Sequence, residues 1–128
     1  MELDLPFVLR HENIASLHPD GIHILDRRVF PFKKEYVVAR DYKECAKAIK
    51  DMVTQGGGPL EVALEAMRMT YRNDKDSIYC AQETLSKARP TNTTMKRTLS
   101  SLVERYESGE DFESVIDDIL SSFDAAYD

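Results

Sequence analysis

The chain has 128 residues, 42% hydrophobic and 31% charged, which is one domain's worth of sequence with enough apolar material for a core. All seventeen Lys and Arg and fifteen of the twenty-three Asp and Glu lie in the first 105 residues, a net +2, whereas the last 23 residues hold eight acids and no base, a net −8. This balance excludes general DNA binding, which needs clustered bases to displace counterions, and no apolar run approaches the roughly 18 residues of a membrane-spanning helix.

Within residues 1–40 the pattern is that of strands and turns. Pro19-Asp20-Gly21 marks a turn ahead of a β-prone run at 22–25, and two further runs, 28–32 and 35–39, flank Lys33-Lys34. Together they predict a small antiparallel sheet, with Pro31 at a strand edge or end because it cannot donate a ladder hydrogen bond. From Asp41 the period becomes helical, and residues 41–128 read as a helical bundle. Asp41 and Glu44 have capping-box spacing, and Cys45, Ile49, Met52 and Val53 then share one face. Gly56-Gly57-Gly58 is expected to end that helix, and Pro59 suits the first turn of the next.

The second helix carries Leu60, Ala63, Leu64, Met67 and Tyr71 on one side and Val62, Ala66 and Met69 on another, so it is expected to be the most buried. A third, over 76–88, turns Ile78, Ala81 and Leu85 inward and breaks at Arg89-Pro90-Thr91, since the residue before proline avoids helical geometry. A fourth places Met95, Leu99, Leu102, Val103 and Tyr106 at helical spacing and closes at Ser108-Gly109. The fifth carries Phe112, Val115, Ile116, Ile119, Leu120 and Phe123. The fold class is α+β, mostly α: a small N-terminal antiparallel β-sheet followed by a bundle of about five helices, one domain over 1–128.

Chemistry has few places to sit. Three of the five glycines are consecutive, directly before a helix whose free N–H groups and positive dipole end suit an anion. Glycines also let backbone approach a phosphate closely. There is no Gly-Lys-Ser/Thr ending and no preceding buried strand, so the triplet alone reads first as a flexible connection. Arg89 precedes a rigid turn rich in Thr and Asn that could aim its guanidinium at a phosphate; taken alone, it is an arginine at a helix C-terminus followed by a cap.

The other candidates are weaker. His11, His18 and His23 lie in the irregular or strand region without matched partners. Cys45 and Cys80 fall on apolar helix faces, lack a neighbouring His or helix start to activate them, and form no Cys-x-x-Cys pair. They are expected to be reduced thiols of a cytoplasmic protein, with no structural zinc and no disulfide. The N-terminus shows no signal-peptide pattern. Met52, Met67, Met69 and Met95 read as packing, and the acidic fifth helix as a solvated face.

Three stretches in the right order resemble a known family, the methylthioribose-1-phosphate isomerases and their relatives, which include ribose-1,5-bisphosphate isomerase and the regulatory alpha, beta and delta subunits of translation initiation factor 2B. The run from Asp20-Gly21 through Leu25-Asp26-Arg27-Arg28 to Pro31 is similar to the isomerases' early "DG…LDQR.LP" segment. Ala48-Ile49-Lys50-Asp51-Met52-Val53 resembles the start of "AIRDMVVRGAP", and Ala88-Arg89-Pro90-Thr91 resembles "RPTAVNL". The match covers roughly residues 20–125; residues 1–18 match least.

The resemblance implies an N-terminal domain of small sheet and helix bundle, packed in the family against a larger Rossmann-like domain across the active site. It implies that Gly56, Gly57, Gly58 and Arg89 contact a sugar phosphate. Gln55 stands where the family has an arginine, which removes one phosphate-binding charge. The family's catalytic Cys and Asp lie in the C-terminal domain, so neither Cys45 nor Cys80 is their counterpart, and no catalytic residue, metal or cofactor is expected here. Isomerisation needs a positioned acid and base, and no such pair is evident in the sequence.

The expected function is thus that of a non-catalytic, stand-alone or truncated counterpart of the isomerase N-terminal domain, binding a phosphorylated sugar or nucleotide or a Rossmann-like partner. Half of a split isomerase and an initiation-factor-2B-like regulatory module are the alternatives. Neither DNA nor membrane is an expected partner, and a homodimer through newly exposed surface is a further expectation. The acidic last helix would lead toward the second domain rather than toward a phosphate, which its charge would repel.

Overall fold

A computed structural model of the chain describes residues 14–54 and 58–127, with side chains through residue 122. Three short strands, β1 (Ala15–His18), β2 (Gly21–Leu25) and β3 (Tyr36–Ala39), form an antiparallel meander in the order β1-β2-β3. The pairing Ala15↔Ile24 through His18↔Gly21 leaves Pro19-Asp20 as a two-residue turn. Gly21 sits at φ +137°, and a Cβ there would fall 2.5 Å from the Ala39 carbonyl oxygen, so β2 can lie this close to β3 only with glycine at that place. Ile22 and Ile24 alternate with His23 and bury one face of the sheet, as a period of two requires.

The sheet differs from expectation at two places. β1 had no predicted counterpart: its sequence, Ala-Ser-Leu-His, carries little strand propensity and is recruited by pairing with β2. Residues 28–32, expected to be a strand, are turns with a cis peptide at Phe30–Pro31. Asp26 explains them. Its main-chain carbonyl accepts from the N–H groups of Val29 and Phe30, and its carboxylate takes the Arg28 N–H at 3.0 Å and the guanidinium at 2.9 Å on both oxygens. The local side-chain bonds outcompete a ladder.

The helices are α1 (Tyr42–Lys50), α2 (Gly58–Asn73), α3 (Ile78–Ala88, preceded by a 3-10 turn at Lys75–Ser77), α4 (Thr93–Glu107) and α5 (Phe112–Tyr127). The α+β, mostly α class is therefore what the structure has. Asp41 caps α1 by accepting the Glu44 N–H at 2.8 Å, while the Glu44 carboxylate reaches back to the Arg40 N–H at 2.9 Å. The third helix begins two residues later than its periodicity suggests, because the first turn is 3-10.

The glycine triplet does not end α1. The Met52 N–H bonds the Ile49 carbonyl and the Val53 N–H bonds Ala48, with Met52 in the left-handed region at φ 64°. This is a Schellman closure made with methionine where glycine is usual. Met52, predicted on the apolar face, is instead outside the helix and half exposed. At the end of α4 the same closure uses Gly109, where the sequence placed it.

α2 is the central helix, with twelve of its sixteen residues buried, and it packs against α1, α3, α4, α5, β1 and β2. The core around it is built from Ile22, Ile24, Ile49, Leu64, Met67, Ile78, Leu85, Met95, Leu99, Leu102 and Phe112. At the α2–α5 contact Tyr71 stacks on Phe112 (centroids 4.7 Å apart), and Tyr106 meets both edge-on.

The acidic last helix is only partly a solvated face. Arg68 of α2, 11% exposed, binds Glu65 at 3.0 Å, Glu113 at 3.3 Å and Asp117, and Arg72 binds Glu113 at 2.6 Å. Arg105 holds Glu110 and Asp118. Four of the six acids in the last 23 residues whose side chains are described, Glu110, Glu113, Asp117 and Asp118, are thereby paired to the bundle's own arginines. The buried Glu61 and Glu65 sit on the helix that apolar periodicity alone marked as core.

Candidate functional site

Of the four residues singled out for phosphate binding, Gly56 and Gly57 lie outside the described residues, and Gly58 and Arg89 can be placed. Gly58 is the first residue of α2 and is buried. A Cβ on it would lie 1.8 Å from Thr54 Oγ1 and 3.2 Å from Thr54 Cβ. The side chain of Thr54 thus presses directly on the start of α2, and only a glycine backbone leaves room for it.

Arg89 is the residue at which α3 ends, held out of helical geometry ahead of Pro90. Its guanidinium donates from Nε to the Ile49 carbonyl at 3.3 Å and from Nη2 to the Thr54 carbonyl at 3.2 Å. Ile49 belongs to the last turn of α1, whose carbonyl ends favour a cation. Arg89 therefore clips the end of α1 to the residue that touches Gly58. Features forty residues apart in sequence meet at one place, and among the described residues the charge of Arg89 has no carboxylate partner.

The segment between α1 and α2 is held from a third side as well. The Arg27 N–H, next to the Asp26–Arg28 turn, bonds the Val53 carbonyl at 2.7 Å. The three stretches compared with the isomerases, 20–31, 48–53 and 88–91, thus converge on the peptide units of Val53 and Thr54. Asn92, beyond Arg89, accepts the Met95 N–H at 3.0 Å and caps α4, so the Arg-Pro-Thr-Asn turn serves as both clip and cap.

Thr54 went unnoticed in the sequence. It is fully buried, and its hydroxyl has no hydrogen-bond partner among the described residues. The signal available was a polar pair, Thr54-Gln55, between an amphipathic helix and a glycine run.

Glu61, buried in the first turn of α2, adds a carboxylate near this helix start, whereas the cysteines and the hairpin histidines lie elsewhere. Cys45 is buried, and burial with Asp41 and Glu44 nearby pushes its thiol up, away from the nucleophilic thiolate. Cys80, expected on an apolar face, is exposed: Ile78, Ala81 and Leu85 set the inward stripe of α3 and Cys80 falls outside it. His11 lies outside the described residues, and His18 and His23 each find a hydrogen-bond partner near the tight turn that folds β1 onto β2. His23 bonds Asp20 at 2.8 Å and holds that carboxyl below the usual carboxylate range, His18 meets Ser16 at 2.9 Å, and the two rings lie 4.1 Å apart at a 32° tilt. A cleft of about 350 Å³ beside them, lined by Asp20, Arg40 and Arg72, opens at the opposite end of α2 from Gly58. Among the described residues no group of three His, Cys, Asp or Glu is arranged to hold a metal ion, and no helix is long and apolar enough to cross a membrane.

No protein-family profile matches the chain. A Methanocaldococcus jannaschii protein provisionally named a methylthioribose-1-phosphate isomerase is 32% identical over 95 residues, covering 74% of this chain and 28% of that protein. The methylthioribose-1-phosphate isomerase 1 of Pseudothermotoga lettingae is 29% identical over 114 residues, covering 82% of this chain and 32% of its own length. The chain thus spans about three tenths of these relatives. In the crystal structure of the 5-methylthioribose 1-phosphate isomerase from Pyrococcus horikoshii, 96% of this chain superposes on 38% of that one, with a TM-score of 0.69 and 19% identity, which shows a shared fold.

Proposed function

We propose that this chain, a homologue of part of the methylthioribose-1-phosphate isomerases, is the phosphate-binding domain of an isomerase-type site and is not catalytic alone. The observation that carries the reading is the placement of Arg89. Its guanidinium lies on the carbonyl of Thr54, the residue whose side chain abuts the start of α2, with no carboxylate to neutralise it among the described residues. A helix start offers unbonded N–H groups and a positive dipole end, and a nearby guanidinium adds a full charge, which together suit a phosphate. The reading assigns to this site Gly58, at the start of α2, and Gly56 and Gly57, which precede it in the chain. Moving a proton between adjacent sugar carbons needs an acid and a base; Cys45, with its thiol pushed up by burial, supplies neither.

The reaction would then require groups from a Rossmann-like domain or chain, with the ligand enclosed between the two. In the relatives, the part similar to this chain is about three tenths of the whole, so most of each lies outside it. Calorimetric titration with methylthioribose 1-phosphate tests the reading, and Arg89→Ala should weaken binding about tenfold or more, the worth of a charge-assisted hydrogen bond. Turnover by the isolated chain would overturn the non-catalytic assignment. A wild type that binds no sugar phosphate would favour a regulatory module of the initiation factor 2B kind.

A further inference from the structure

The hydroxyl of Thr54 is buried without a hydrogen-bond partner among the described residues. Folded proteins rarely leave such an atom, since a valine of nearly the same shape would avoid the cost of desolvating it. The orphan atom lies beside the start of α2, 1.8 Å from where a Gly58 Cβ would sit, while the carbonyl of the same residue accepts from Arg89 at 3.2 Å. Thr54 therefore joins, through its backbone and its side chain, the two features that suit a phosphate.

We propose that the Thr54 hydroxyl donates a hydrogen bond to a phosphate oxygen of the ligand at the start of α2; this rests on the phosphate-binding reading and adds a contact to it. The helix N–H groups, the guanidinium and the hydroxyl are all donors, and a phosphate presents enough oxygens to satisfy the three from different directions. A carboxylate, with two coplanar oxygens, matches them less well. Thr54 has no exposed surface, so the contact forms with a local opening around it.

The test is titration of the full chain with methylthioribose 1-phosphate, and separately with inorganic phosphate, at fixed ionic strength. Thr54→Ser keeps the hydroxyl and should bind within about twofold of wild type. Thr54→Val and Thr54→Ala remove it and should bind about tenfold more weakly, by the same ratio for both probes because the contact is to the phosphate. Thr54→Ala covers the case in which valine is too large beside Gly58, and a thermal melt of each variant checks its folding. Wild-type affinity in both hydroxyl-free variants, with binding still weakened by Arg89→Ala, would overturn the role of Thr54 and leave the phosphate site standing. Absence of binding by the wild type itself would overturn both.

Discussion

Gly58→Ala is the sharpest structural test of the junction. An alanine Cβ would meet Thr54 Oγ1 at 1.8 Å and Thr54 Cβ at 3.2 Å, where relaxed non-bonded contacts run near 3.5 Å. Thr54 is fully buried, so rotating its side chain trades a clash of the hydroxyl for one of the methyl. Overpacking of this kind costs about 1–3 kcal/mol. The gain in helix propensity from Gly to Ala, at most about 1 kcal/mol in a helix interior, is smaller at a first helical residue. The net expectation is a loss of about 1–2 kcal/mol, read as a fall of roughly 1 M in the urea midpoint at the m-values typical of small domains. Thr54→Ala in the Gly58→Ala background should recover at least half of the loss, whereas Thr54→Val, which keeps both branches at Cβ, should recover little. A Gly58→Ala protein as stable as wild type, or a recovery equal for the two Thr54 variants, would refute the reasoning.

Two further outcomes follow from the charged clusters. Arg68→Ala should destabilise the fold by about 2–3 kcal/mol, because it strips a largely buried cation from Glu65, Glu113 and Asp117 and uncouples α5 from α2; a loss under about 1 kcal/mol in urea unfolding would show that the network is mostly solvent-screened. The Asp26 carboxyl is held below its ordinary value chiefly by its hydrogen bonds from Arg28. Its stabilisation is therefore present above the unfolded value of about 3.9 and lost as pH falls through the folded one, so the stability advantage of wild type over Asp26→Asn should shrink as the solution is made more acidic than that unfolded value. An advantage independent of pH would contradict that linkage.

Much of the helical part was legible because its information is local. The apolar stripes of α2 and α4, that of α5 as far as Leu120, the Asp41 cap, the Pro90 break and the Gly109 closure each depend on residues within a turn or two, and each formed where the sequence put it, while Phe123 lies outside the described side chains. The strand region was less so. β1 exists only through its pairing with β2, and residues 28–32 turn because the Asp26 carboxylate finds Arg28, bonds that a strand pattern does not encode. The end of α1 misled for a related reason: a methionine took the left-handed position that a nearby glycine run advertised.

By itself the sequence determined the fold class, the central place of α2 and, through three short resemblances, the group of enzymes to which the chain is related. It could name Gly58 and Arg89, and the resemblance could assign both to one phosphate, but nothing local relates residues more than thirty positions apart or shows how they meet. Only the tertiary structure decided that α3 ends where its arginine reaches the carbonyls of Ile49 and Thr54, and that the Thr54 side chain fills the space a Gly58 side chain would need. Packing of α1, α2 and α3 about one core brings these groups within hydrogen-bond range. The fate of the acidic end was also a tertiary matter: its charge is a property of composition, but its pairing with Arg68, Arg72 and Arg105 depends on how α5 lies along the bundle.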